Sequence, residues 1–255
     1  MIPQTNGFSP ILSDHDLAGM RKSGKIAATI LWDMVNAVRP GITTANLDKL
    51  AARLIKLHKA NSAPKQEGFP GYTCISLNEI IAHGVPGKQV LRLGDHINID
   101  VSIEHNGYYG DVAYTLIIGE NGPESNPMLD CARQITMDAA MMSIADVPIN
   151  SIAKVIEDTA RSNQYSIIRN LCSHGVGKSL HAFPTNILNY YDPEETLVLR
   201  EGMVIAWEPY ISNGACRAIQ QESEWNLTTH NKSNVAQFEH MVLVTAGLPE
   251  ILTLL

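Results

Sequence analysis

The chain has 255 residues, 45% hydrophobic and 18% charged, enough to bury a full core and incompatible with a disordered tract, a collagen or a small disulfide scaffold. Its 19 Lys and Arg against 26 Asp and Glu leave a net charge of -7 with no basic block, which argues against capture of nucleic acid or anionic lipid. No apolar stretch reaches the roughly 20 residues of a transmembrane helix. The first twenty residues hold no Lys or Arg and no continuous apolar core, so a cytoplasmic protein without a secretory signal is expected. Cys74, Cys131, Cys172 and Cys216 form no Cys-x-x-Cys pair and are expected to be free thiols.

Apolar residues at helical spacing (Leu17, Met20, Ile26, Ile30, Leu31, Met34, Val35, Val38) predict a helix over 14–38, capped by Ser13 or Asp14 and stopped by Pro40-Gly41. Thr43 or Thr44 caps a second helix through Leu47, Leu50, Leu54 and Leu57, ending near Ala60-Asn61. Strands are predicted over 72–77, 96–103 and 108–118. The order then repeats: a helix near 128–145, a stop at Pro148-Ile149, a cap at Asn150 or Ser151, a helix through Ile152, Val155, Ile156 and Ala160, and strands at 165–170, 203–211, 215–220 and 237–244. Two related halves are suggested, in one α+β domain over 1–255 whose mainly antiparallel sheet is covered by helix pairs.

Asn106-Gly107 between β-type runs is a strong hairpin signal, because a type I′ turn needs positive φ at both central residues. A turn there pairs 105 with 108 and sets 102 opposite 111. Asp100 then lies one pleat further along the same face, its Cα roughly 7–8 Å from that of Asp111. Two aspartates sharing a buried face amid Ile97, Ile99, Val101 and Ile117 would repel each other and resist desolvation unless a cation lay between them. A lone strand aspartate is ordinarily exposed; the pairing is what points away from a solvated face.

Glu208 closes the apolar run Gly202-Met-Val-Ile-Ala-Trp-Glu208-Pro209, and Glu239 precedes another in Gln237-Phe-Glu239-His-Met-Val-Leu-Val. His174 sits in Ser173-His174-Gly175-Val-Gly177, read as a glycine-flanked loop. Singly, each is more often a satisfied core or edge residue than a ligand. With the two aspartates they make one imidazole and four carboxylates, a hard set suited to two divalent cations, with Mn, Fe or Co fitting better than a structural zinc. Two ions roughly 3.5–4 Å apart can activate a shared water and polarise a carbonyl, the logic of aminopeptidase-type hydrolysis. His83 and His181, in Gly- and Pro-bounded loops, are either merely exposed or substrate contacts. Cys172-Ser-His-Gly-Val-Gly-Lys178-Ser179 ends like a phosphate-binding loop, but Cys172 replaces its first glycine and Pro184 leaves no room for the following helix.

These residues in this order resemble the type I methionine aminopeptidases, small members of the pita-bread metallopeptidases, over nearly the whole chain. The resemblance implies the pita-bread fold with pseudo-twofold halves and two divalent ions (Co, Mn, Fe or Zn). Asp111 and Glu239 would bridge the ions, Asp100 would complete one site, and His174 with Glu208 the other. It further implies that a water between the ions attacks the carbonyl of residue one while Glu208 accepts its proton, with His83 near the scissile nitrogen and His181 supporting the oxyanion. Trp225 and Cys74 match positions lining the methionine pocket, beside Phe69 and Leu180.

The chain departs from the family around that pocket. Ala63, Gln66 and Phe69 stand where Cys and Tyr residues are usual, Leu180 replaces an aromatic, and Ala182-Phe183 replaces an acidic pair. One altered apolar wall is worth only about 1–3 kcal/mol of discrimination, so the departures bear on selectivity and rate rather than on the metal chemistry. The activity implied is removal of methionine from peptides and nascent proteins with a small second residue. One rival is an Xaa-Pro-directed peptidase of the same fold, whose members normally carry an extra N-terminal domain. The other is a non-catalytic peptide- or protein-binding member, whose kind usually lose ligands. Peptide N-termini are the partners implied, and since nothing demands a dimer, a monomer is expected.

Overall fold

The computed structural model describes residues 13–119, 126–220 and 225–255. The leaderless start expected of the first twenty residues falls largely outside these. Among the described residues no helix is long and apolar enough to cross a membrane.

Helix α1 (Asp14–Ala37) starts where the Ser13 side chain accepts from the Asp16 amide, and α2 (Thr44–Leu57) starts at a reciprocal Thr43–Asn46 capping box. A further single turn, α3 (Ala63–Gln66), is capped by Ser62 and carries Pro64 in its first turn. One turn is too short to leave an apolar period in the sequence, and it was not expected. Strands β1 (Cys74–Leu77), β2 (His96–His105) and β3 (Tyr108–Ile117) form a sheet with the two-residue strand Asn61–Ser62. The hairpin turns at Asn106 and Gly107, with φ of 53° and 85°, and pairs His105 with Tyr108 and Ser102 with Asp111 as the spacing requires.

The two faces of this hairpin differ in kind. Ile97, Ile99, Val101, Ile103 and Val112 pack under α1 and α2 against Ile26, Ile30, Leu31, Leu47 and Ile55. Asn98, Asp100, Ser102, Asp111 and Thr115 occupy the opposite face. The aspartates therefore do not sit amid Ile97, Ile99 and Val101, as the sequence suggested; the pleat sends those side chains the other way. Ile117 does share the aspartates' face and belongs to the core of the second half.

That second half has its own helix pair, α4 (Pro127–Met141), capped by Asn126, and α5 (Ile149–Ser162), over a core that includes Ile135, Ile152, Ile156, Ile205, Trp207 and Val242. Its strands are β4 (Ser173–Gly175), β5 (Ala182–Ile187), β6 (Val204–Trp207), β7 (Tyr210–Ser212), β8 (Val235–Gln237) and β9 (His240–Leu243). The expected strand at 203–211 is broken at Glu208-Pro209, and the one at 237–244 starts only at His240, after a break at Phe238-Glu239 that separates it from Val235–Gln237. β6 and β9 pair in a five-stranded sheet, whereas β7 and β8 pair in a three-stranded one. The breaks face each other: Trp207 opposes His240 and Tyr210 opposes Gln237, leaving Glu208-Pro209 across from Phe238-Glu239. Pro209 has no N–H to continue a ladder, and the Glu239 amide donates instead to the Ala113 carbonyl, so both segments change sheet here. The expected strands at 165–170 and 215–220 shrink to Ser166–Ile167 and Ile219–Gln220. His174 lies within β4 rather than in a loop, and no helix follows the Gly177-Lys178-Ser179 bend, which removes the phosphate-loop geometry.

Candidate metal centre

The polar face of the hairpin and the paired strand breaks meet at a cavity of about 150 Å³. Asp100, Ser102 and Asp111 reach it from the first half; His174, Glu208 and Glu239 reach it from the second. Fixed hydrogen bonds aim these groups. The Glu239 amide donates to the Ala113 carbonyl at 3.0 Å, tying one break to the hairpin. Just before it, Asn98 Nδ2 donates to Gln237 Oε1 at 2.6 Å and Thr115 Oγ1 to the Gln237 carbonyl at 2.6 Å. At the other break the Glu208 amide donates to Ser173 Oγ at 3.0 Å, and that hydroxyl donates to Asn189 Oδ1 at 2.7 Å.

Ligand-type atoms of Asp111, His174 and Glu239 lie within 4.8 Å of one another, and all three residues are buried. Neutral His174 donates Nδ1–H to its neighbour's carbonyl, Gly175 O at 3.0 Å. This leaves the Nε2 lone pair facing Glu208 Oε1 at 3.4 Å and Asp111 Oδ2 at 3.7 Å. Asp100 lines the same floor, with Ser102 Oγ donating to its Oδ1 at 3.4 Å.

Burial drives the electrostatics. It pushes Asp100, Glu208 and Glu239 well above the usual carboxylate range, reinforced in each by neighbouring carboxylates, and raises Asp111 to about 6. It holds the His174 imidazole down, favouring the neutral, lone-pair form. Among the described residues, the buried atoms Asp111 Oδ1 and Glu239 Oε1 have no hydrogen-bond partner. A buried carboxylate oxygen left unpaired is costly, and a hard divalent cation satisfies several such oxygens at once. The residues present thus fit a metal.

Above this floor the lining turns apolar, with Pro64, Phe69, Cys74, Leu180 and Trp225. Phe69 and Trp225 meet edge to face with ring centroids 5.3 Å apart. His83 and His181 stand at the exposed rim, and the His181 ring is 4.4 Å from that of His174. The five acid and histidine ligand candidates, His83, His181, Phe69, Cys74, Leu180 and Trp225 therefore all reach one cavity, whereas Ala63, Gln66, Ala182 and Phe183, also read as bearing on the pocket, do not line it. Three that line it were not singled out: Pro64 and Glu67, at the unforeseen α3 turn, and Ser102. Only Ser102 left a trace, since the hairpin register sets it between Asp100 and Asp111 on their face.

The profile of Metallopeptidase family M24 matches residues 18–246. A methionine aminopeptidase of Staphylococcus epidermidis is 42% identical over 245 residues, covering 95% of this chain and 98% of that protein. The crystal structure of a methionine aminopeptidase from Thermotoga maritima superposes with a TM-score of 0.91 at 33% identity, over 96% of this chain and 99% of that one. Prolidase from Pyrococcus furiosus shares the fold at a TM-score of 0.73, with 17% identity over 95% of this chain and 65% of its own. With the M24 profile covering most of its length and two helix pairs backing antiparallel sheets around a buried carboxylate and histidine cluster, this chain has the pita-bread fold and belongs to metallopeptidase family M24.

Proposed function

We propose that the chain is a methionine aminopeptidase that hydrolyses the first peptide bond of peptides and nascent proteins with a small second residue. The observation that carries this reading is the buried Asp111–His174–Glu239 trio, which shares its cavity with an apolar lining of Phe69, Cys74, Leu180 and Trp225. The trio fits a metal, and the pocket fits an unbranched thioether side chain. The name carried by its near full-length relatives supports the same activity, whereas a proline-directed activity has only likeness of fold behind it.

Asp100, Asp111, His174, Glu208 and Glu239 would hold two divalent ions between them, with Asp111, His174 and Glu239 the buried trio whose ligand atoms already converge. When bound, the ions polarise the scissile carbonyl and favour deprotonation of water. Glu208 accepts the proton of the attacking water and passes it to the departing nitrogen as the C–N bond breaks. His83 hydrogen-bonds near that nitrogen, and His181, neutral, donates to the developing oxyanion. We read the protein as a cytoplasmic monomer acting on peptides rather than on membranes or nucleic acid, in keeping with its net charge of -7.

The test is release of free methionine from Met-Ala-Ser with added Mn or Co, set against Xaa-Pro peptides. Metal-dependent release from the first alone is expected; turnover of only Xaa-Pro substrates, or none with any metal, contradicts the reading.

A further inference from the structure

We infer that Glu67 selects substrates by charge, favouring peptides with a Lys or Arg side chain beyond the second residue. This rests on the peptide reading above and deepens it.

Five acids line the cavity, and no Lys or Arg does. Asp100, Asp111, Glu208 and Glu239 cluster on its floor; Glu67 does not belong to that cluster. Of the lining residues, Glu67, His83 and His181 are the exposed ones, so they mark the mouth. A substrate whose first side chain enters the apolar pocket and whose first carbonyl reaches the floor must send the rest of its chain out past this rim.

Glu67 is held in place through its backbone. It is the C-cap of α3, its amide donating to the Ala63 and Pro64 carbonyls, and Gly68 turns the chain after it at a φ of 87°. Flanking residues pin the turn on both sides: Tyr109 OH donates to Gln66 Oε1 at 3.1 Å, and Phe69 abuts Trp225. The nearby cation Lys65 is turned outward, its Nζ donating to the Pro70 carbonyl at 2.5 Å and lying 5.2 Å from the centre of the Tyr72 ring. The Glu67 carboxylate makes no side-chain hydrogen bond or salt bridge among the described residues; its electrostatic neighbours at the mouth are the imidazoles of His83 and His181, which desolvation holds toward the neutral form. An anchored, unpaired acid at the exit of a peptide channel is a ready partner for a passing cation.

The α-ammonium of the substrate is not that cation. It is two bonds from the scissile carbonyl carbon and must lie with it over the floor, away from the rim. An ion pair at an exposed rim is worth about a two- to fivefold preference and weakens with salt.

The test compares Met-Ala-Lys-Ala and Met-Ala-Ala-Lys with their Glu counterparts on the metal-loaded full chain at low salt, for wild type and for Glu67→Gln and Glu67→Lys. The expected result is a Lys-over-Glu ratio in kcat/KM of about two to five, arising in KM. It should collapse toward one in E67Q, invert in E67K and shrink at high salt. A ratio untouched by E67Q overturns the proposal, as does an equal loss on every peptide, which would assign Glu67 to the α-ammonium or to structure. Dissociation constants for the same peptides, from calorimetric titration, read the selection independently of turnover. Charge-selective binding without methionine release would remove the aminopeptidase reading and keep this one; equal binding of Lys and Glu peptides would do the reverse.

Discussion

The two faces of the β2–β3 hairpin follow opposite rules. Toward the helices, Ile97, Ile99, Val101 and Ile103 are buried among apolar neighbours and are complete within the first half. Toward the second half, half-buried Asp100 and buried Asp111 lie among like charges, and Asp111 Oδ1 has no partner among the described residues. One face stabilises the fold by burial; the other stores an unfavourable interaction that a cation relieves. The same ten-residue strands carry both, because the pleat separates them completely.

The sharpest way to break this contrast is Asp111→Asn. Methionine release should fall by more than the roughly 10–100-fold typical of disturbing a residue behind a metal ligand, while the metal-free protein melts no lower than wild type, since a buried charge is gone. Undiminished turnover, or a large loss of metal-free stability, would place Asp111 in the structural face. Ile99→Ala is the converse: about 2–5 kcal/mol of stability lost in denaturant titrations, with metal affinity unchanged. A parallel fall in metal affinity would show that the two faces are not separable.

A smaller effect tests the stored repulsion itself. Carboxyl groups raised by burial bind protons more tightly folded than unfolded, so the metal-free fold loses stability as pH rises from the ordinary carboxylate range, about 4, through about 6, where Asp111 titrates. Metal relieves that loss. The melting-temperature gap between Mn-loaded and chelated protein should therefore widen between pH about 4 and about 7. A gap independent of pH would mean that the carboxylates are not the groups the metal satisfies.

How much of this could be read in the sequence follows from what each feature depends on. Caps and turn residues act locally, so Ser13, Thr43 and Asn106-Gly107 located two helices and the hairpin with its register. The strand breaks at Glu208 and Glu239 could not be read that way. Each lies inside or beside an apolar run that continues as strand on the far side, and only pairing between distant segments shows that the chain changes sheet there. His174 was singled out correctly but assigned to a loop, because flanking glycines usually mean one; here Gly175 pairs inside β4 and allows the Phe183 backbone to approach closely. Glu67 left no trace, since an exposed Glu beside Gly is what any surface turn contains.

The central claim is that side chains from both halves jointly hold divalent ions. The most direct measurement is titration of chelated protein with Mn, followed by anomalous scattering from crystals of the loaded chain. Two ions bound among Asp100, Asp111, His174, Glu208 and Glu239 is the predicted result. No bound ion, or ions held anywhere else, would contradict it.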